Sequence, residues 1–189
     1  MPRCYWCTDD PLYIAYHDHE WGVPLRDEQR LFELLVLEGF QAGLSWITIL
    51  KKRARYREVL FGFDPERLAV MTDEEIEERM QDAGIIRNRM KLRAARQNAQ
   101  AWLRLDNPVA FLWSFTGDQP KINHFCDRSE VPAITPEAEA MSKALKKAGF
   151  TFVGPTICYA YMQATGMVMD HTTDCCRYGA LIGNEAPKG

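Results

Sequence analysis

The chain has 189 residues, 47% of them apolar and 11% aromatic, which suits one hydrophobic core and excludes a disordered chain. A formal charge of −3 excludes binding of nucleic acid through bulk positive charge. The stripes KKRARYR (51–57) and RNRMKLRAAR (87–96) stay compatible with a phosphate-contacting face but read first as solvated helix surfaces.

The N-terminal RCYWCTDDPLYIAYHDH places Cys4, Cys7, His17 and His19 in one aromatic segment. DEQRLFELLVLEGF (27–40) carries Leu31, Leu34, Leu35 and Leu37 at helical spacing with Asp27 as its cap. Gly39 and Gly43 bracket a break, and LSWITILKKRARYREVLFGF (44–63) continues as a second helix. Asp64-Pro65 opens a short helix. TDEEIEERMQDAG (72–84) has a capping box of Thr72 with Glu75 and a stop at Gly84. A long helix from about Arg87 to Leu105 and a shorter one over Pro108–Phe115 precede a loop from Gly117 to Pro136. EAEAMSKALKKAG (137–149) is helical, FTFVG (150–154) is a tight connection, and PTICYAYMQATG (155–166) starts another helix on proline. No run alternates as strands do, so the class is all-α, with the two chain ends outside the core.

Two places carry chemistry. In HTTDC (171–175) a His and a Cys four apart share a helix face and can reach one ion; the N-terminal Cys/His segment can supply the missing pair. Four protein ligands would leave no open position, so a zinc ion there would be structural. The other place is LEGFQAGLSWITILKKR (37–53). Glu38 ends an apolar stripe, where a carboxylate is expensive unless paired. Trp46 and Leu44 read first as core residues. Tyr13, Tyr16 and Trp21 in the same aromatic-rich half suggest, with Glu38, an aromatic pocket for a flat, electron-poor or cationic ring. A thiol-redox site at CYWC is a weaker reading, because it lacks the strand–helix setting of such motifs.

CYWC…YIAYHDHEWGVP, EGFQAGLSWITILKKR, DAGIIRNRMK and GFTFVGPTICYAYMQATGMVMDH together resemble 3-methyladenine DNA glycosylase I, of the helix-hairpin-helix superfamily, over nearly the whole chain. The resemblance implies a monofunctional base-excision enzyme that acts on alkylated double-stranded DNA as a monomer and releases 3-methyladenine. It implies one structural Zn²⁺ on Cys4, His17, His171 and Cys175, with Cys7 and His19 left out. The implied base pocket is Glu38 with Tyr16 and Trp46, neighboured by Tyr13, Trp6 and Trp21. The turn through Gln41, Gly43 and Leu44 would fill the gap in the duplex. Val153, Gly154 and Thr156 of the hairpin would meet phosphate through backbone amides. Thr156 stands where bifunctional members carry a lysine, so no strand cleavage is expected.

The superfamily's catalytic aspartate position falls at Met169, where this family usually has Asn. Asp170 reads as support for the zinc end. The expected layout is a single domain over 1–189: residues 1–26 and 167–180 form the zinc-stapled terminal region, and 27–166 a helical core with the helix-hairpin-helix at about 137–166. The loss of that aspartate also allows an alternative, a catalytically silent lesion-binding module of the same fold.

Overall fold

The computed structural model describes residues 2–183; the outermost ends of the expected 1–189 domain lie outside the described residues. These residues form ten α-helices, with three short 3-10 turns between them: α1 (Pro11–His19), α2 (Glu28–Gln41), α3 (Trp46–Val59), α4 (Pro65–Ala69), α5 (Asp73–Arg79), α6 (Arg89–Trp102), α7 (Pro108–Trp113), α8 (Pro136–Lys147), α9 (Pro155–Ala164) and α10 (Tyr178–Ile182). The all-α expectation holds, with one addition: β1 (Lys121–Ile122) pairs in parallel with β2 (Val168–Met169). Two-residue strands carry no alternation for a sequence pattern to show.

Every residue of LFELLVLEGF (31–40) is buried, so α2 is the axis of the molecule rather than a one-sided surface helix. A helix buried on all faces has to be wrapped, and α3, α6, α7 and α9 pack around it. Glu33 on this helix shows what a core charge needs. Its carboxylate accepts from Arg53 Nε at 2.6 Å and Arg57 Nε at 3.0 Å, and Arg53 also donates to Glu20 at 2.7 Å. Removing one member of such a pair costs about 3–5 kcal/mol.

Local signals set most helix starts. Asp27, Asp64, Thr72, Asn88 and Thr135 each accept an amide hydrogen bond at their helix N-terminus, and Thr72 and Glu75 form the full capping box. Several ends differ from expectation. The second helix stops at Val59, because Phe61, Gly62 and Phe63 all take positive φ and turn the chain. Helix α5 ends at Arg79, not at Gly84. Gly84 instead closes a separate turn, its amide donating to Asp82 at 2.7 Å while Lys52 donates to the carbonyls of Ala83 and Gly84.

The described terminal segments are not outside the core. Gly22 N–H donates to Gln163 O and Leu25 N–H to Thr165 O, both at 3.0 Å. Gly166, at φ +68°, lies so close to this segment that a Cβ would stand 2.4 Å from Val23 and Pro24 backbone atoms. Cys4, Tyr16, Met167, Val168 and Cys175 are buried with the helical core. The helical periodicity of the sequence could not show this closure, since it lies in backbone hydrogen bonds between distant segments.

Candidate active site and metal centre

A cavity of about 190 Å³ opens beside the C-terminal half of α2. Its lining includes Trp6, Tyr13, Tyr16, Trp21, Glu38 and Trp46, so all six expected pocket residues meet there, and Gln41 joins them. Trp6 is the hub of the wall, with ring centroids 4.9 Å from Trp21, 5.1 Å from Tyr13 and 6.2 Å from Tyr16. Tyr16 and Trp46 lie 5.4 Å apart, tilted at 47°.

Glu38 is 4% exposed and, unlike Glu33, has no cation beside it among the described residues. Burial alone pushes its carboxyl up from 4.5 to about 8. Its Oε2 and the indole Nε1 of Trp46 are both buried without a hydrogen-bond partner. One orphaned acceptor and one orphaned donor in the same aromatic cavity are what a polar-edged ring would satisfy. Burial also raises the Tyr16 phenol well above its ordinary value, so it stays neutral.

The turn after α2 is braced. Lys91 of α6 donates through Nζ to the carbonyls of Phe40 and Ala42, both at 2.7 Å, occupying the free carbonyls at the helix end. Gly43 takes φ +79° and Leu44 projects at the surface, 38% exposed. Sequence reading passed over Lys91, whose basic stripe gave no sign of an inward role. Lys91→Met leaves those carbonyls unpartnered and is expected to cost about 1–3 kcal/mol, read as a lower urea midpoint at unchanged m-value.

Beyond the aromatic wall, Cys4, His17, His171 and Cys175 converge, their four ligand atoms within 4.8 Å of one another and all four residues buried. Cys4 Sγ is 3.3 Å from His171 Nδ1, and Cys175 Sγ is 3.4 Å from His17 Nε2. The outward ring nitrogens are held as metal-binding imidazoles are: His17 Nδ1 lies 2.7 Å from Asp18, and His171 Nε2 3.0 Å from the Trp21 carbonyl. Asp18 is itself clamped by Arg3. This set of two thiols and two oriented imidazoles fits a tetrahedral ion.

Cys7 and His19 lie outside the cluster. The expected helix over HTTDC is a turn, closed by Cys175 N–H donating to Thr172 O at 2.8 Å; it brings Nδ1 and Sγ together without helical spacing. Cys158 is buried, Cys126 is exposed and Cys176 is half-buried.

Asp170 corrects a further expectation. It does not support the Cys/His end but lines the cavity, where its carboxylate accepts from Asn123 Nδ2 at 2.7 Å, Gln163 Nε2 at 2.9 Å and the Tyr159 hydroxyl. Adjacency to His171 misled the reading: along an extended segment, neighbouring side chains point to opposite sides. Tyr5, Val131, Ala160 and Gln163 also line the cavity and went unnoticed. Only Gln163, a polar residue closing an otherwise apolar helix, left a signal.

The α8–α9 turn sits directly on α2, since a Cβ on Gly39 would lie 3.2 Å from Phe152 Cβ. Phe152, within this turn, takes φ +55°. Neighbours hold this unfavourable backbone: Asn98 bonds the amide and carbonyl of Thr151 at 2.8 and 3.0 Å, and Ser142 donates to Val153 O at 2.6 Å. Val153 is buried, Gly154 is half-buried and Thr156 is exposed in the first turn of α9. The stripe at 51–57 is largely taken up internally, by Asp10, Glu20, Glu33, Glu58 and Asp82.

Fold and site together define an all-α protein with an aromatic-lined cavity built around one buried carboxyl. Comparison with known proteins carries this further. The profile of the family described as methyladenine glycosylase matches residues 6–178. The chain is 53% identical over 182 residues to DNA-3-methyladenine glycosylase 1 of Escherichia coli, covering 94% of this chain and 97% of that one. A crystal structure of 3-methyladenine DNA glycosylase I, 52% identical, superposes with a TM-score of 0.91 over 93% of this chain and 98% of the other. A Tyr-to-Phe variant of such an enzyme in complex with 3-methyladenine, 39% identical, superposes at 0.90 over 93% and 97%. The chain belongs to the methyladenine glycosylase family. It is a DNA-repair glycosylase, not a binding-only module. Among the described residues, no helix is long and apolar enough to cross a membrane.

Proposed function

We propose that this glycosylase removes 3-methyladenine from alkylated double-stranded DNA by hydrolysis of the N-glycosidic bond, leaving an abasic site. The observation that carries the reading is Glu38, a buried carboxyl with a free oxygen in an aromatic cavity. N3-methylated adenine in DNA is cationic. A cation seated between Tyr16 and Trp46 favours the ionised form of Glu38, so the carboxyl releases its proton to solvent and gains a charged partner. Neutral adenine offers no such compensation and leaves Glu38 protonated. The methylated base leaves as a neutral molecule, so the enzyme's task is to extrude the nucleotide and hold it for attack by water.

The Gln41–Leu44 turn acts as the wedge in the emptied stack, and the α8–α9 turn acts as a helix-hairpin-helix that anchors phosphate through the amides near Gly154. With Thr156 in the lysine position, no lyase step follows. One structural Zn²⁺ on Cys4, His17, His171 and Cys175 ties residues 1–26 to 167–180 and leaves the helical core 27–166 to carry the turn and hairpin. The protein acts as a monomer in the cytoplasm.

Incubation with methylated duplex and chromatography of released bases tests the activity: free 3-methyladenine with unbroken strands is expected, and absence of free base would refute it. Leu44→Ala tests the wedge. Its excision from duplex is expected to fall about tenfold or more, while binding of free 3-methyladenine stays at the wild-type level. Equal loss of both would assign Leu44 to the pocket.

A further inference from the structure

We propose that the groove beside the aromatic cavity, between Arg128 and the first turns of α9, holds the sugar-phosphate of the extruded nucleotide. The proposal rests on the base-pocket reading above. The groove and the cavity share Tyr5, Val131, Ala160 and Gln163, so these four form the boundary between them. With the base in the cavity, its glycosidic bond has to cross that boundary, and the sugar and its phosphates lie in the groove. Gln163 stands at the crossing, its amide nitrogen committed to Asp170 at 2.9 Å. Its carbonyl oxygen is thereby the end available to the reacting nucleotide.

The two ends of the groove suit a phosphate-bearing strand. Thr156 places one end at the first turn of α9, whose N-cap Gly154 brings no capping side chain and leaves amides open. From Thr156 to Gln163 the helix rises about 10 Å, room for a nucleotide to run from the hairpin to the cavity. Arg128 forms the far wall, its guanidinium 4.9 Å from the Tyr5 ring. Among the described residues it has no carboxylate partner, in contrast to the arginines of α3. The flanking acids are turned to the backbone: Asp127 accepts from Ser129 N–H at 2.8 Å and Glu130 from Cys126 N–H at 2.6 Å. The loop from Gly117 to Pro136, to which the sequence assigned no role, thus supplies one wall of a DNA subsite.

Binding of a duplex containing a tetrahydrofuran abasic analogue, measured by anisotropy across a salt series, tests this. Arg128→Gln is expected to bind several-fold more weakly, with the slope of log K against log salt reduced by about 1, while Arg128→Lys keeps the slope. Free 3-methyladenine, followed by tryptophan fluorescence, should bind both variants as it binds the wild type. Wild-type affinity and slope in Arg128→Gln would overturn the proposal, as would loss of its free-base binding. Failure of the wild type itself to bind the free base would refute the pocket reading instead.

Discussion

Glu38→Gln is expected to lose most excision activity and, above pH 8, to be more stable than the wild type. Both effects have one cause. Burial raises the Glu38 carboxyl from 4.5 to about 8, so between those values the folded protein holds a proton that the unfolded chain has released. Stability therefore falls as pH rises from about 4.5 to about 8, and the full penalty is present above it. At about 1.4 kcal/mol per unit, the order of magnitude is a few kcal/mol. Glutamine fills the same space without a charge to desolvate, so thermal unfolding at pH 9 should show a higher midpoint for the variant. The activity has the opposite dependence. Wild-type kcat/KM for a methylated duplex should rise with pH through about 8 as the free enzyme's Glu38 ionises; the variant should be flat and lower by about a hundredfold or more. Undiminished excision, or no gain in stability at pH 9, would contradict the assignment.

The second large effect concerns the Cys/His cluster. Cys4→Ser is expected to lose the metal and melt about 10 °C lower or more, whereas Cys7→Ser should keep one zinc per chain and the wild-type midpoint. Elemental analysis with circular dichroism distinguishes them; zinc retained in the Cys4 variant would remove that residue from the site. Chelation should weaken free-base binding as well. The Trp21 carbonyl holds His171, and the Trp21 ring packs edge-on to that imidazole at 4.7 Å while lining the cavity. Loss of the ion therefore frees one wall of the pocket.

What the sequence disclosed and what it withheld follow physical lines. Caps are local: Asp27 and Thr72 act within three residues, so their helices could be read directly. The pocket residues stood out because a carboxylate after Leu37 on an apolar stripe has no cheap structural explanation. Residues whose roles depend on distant partners did not. Lys91 acts on carbonyls about fifty positions away, and Asp170 meets Asn123 across the paired strands. Positive φ at Phe61, Phe63 and Phe152 was equally hidden, since phenylalanine is not a residue that announces a left-handed turn. The family likeness pointed to the four Cys/His residues that cluster, but the second bond of each histidine became visible only in three dimensions.

The meeting of the two terminal segments also makes the pocket wall depend on contacts between residues far apart in sequence. Cys4 and His171 are separated by 167 positions, and Cys176 N–H donates to the carbonyl of Pro2. On the ribosome α2 and α3 can pack as they emerge, whereas α9, which also packs on α2, joins late. The wall carrying Trp6, Tyr13, Tyr16 and Trp21 is made first but docks last, once residues 171–176 have left the exit tunnel. A chain cut short before residues 171–176 would thus lack a finished pocket wall.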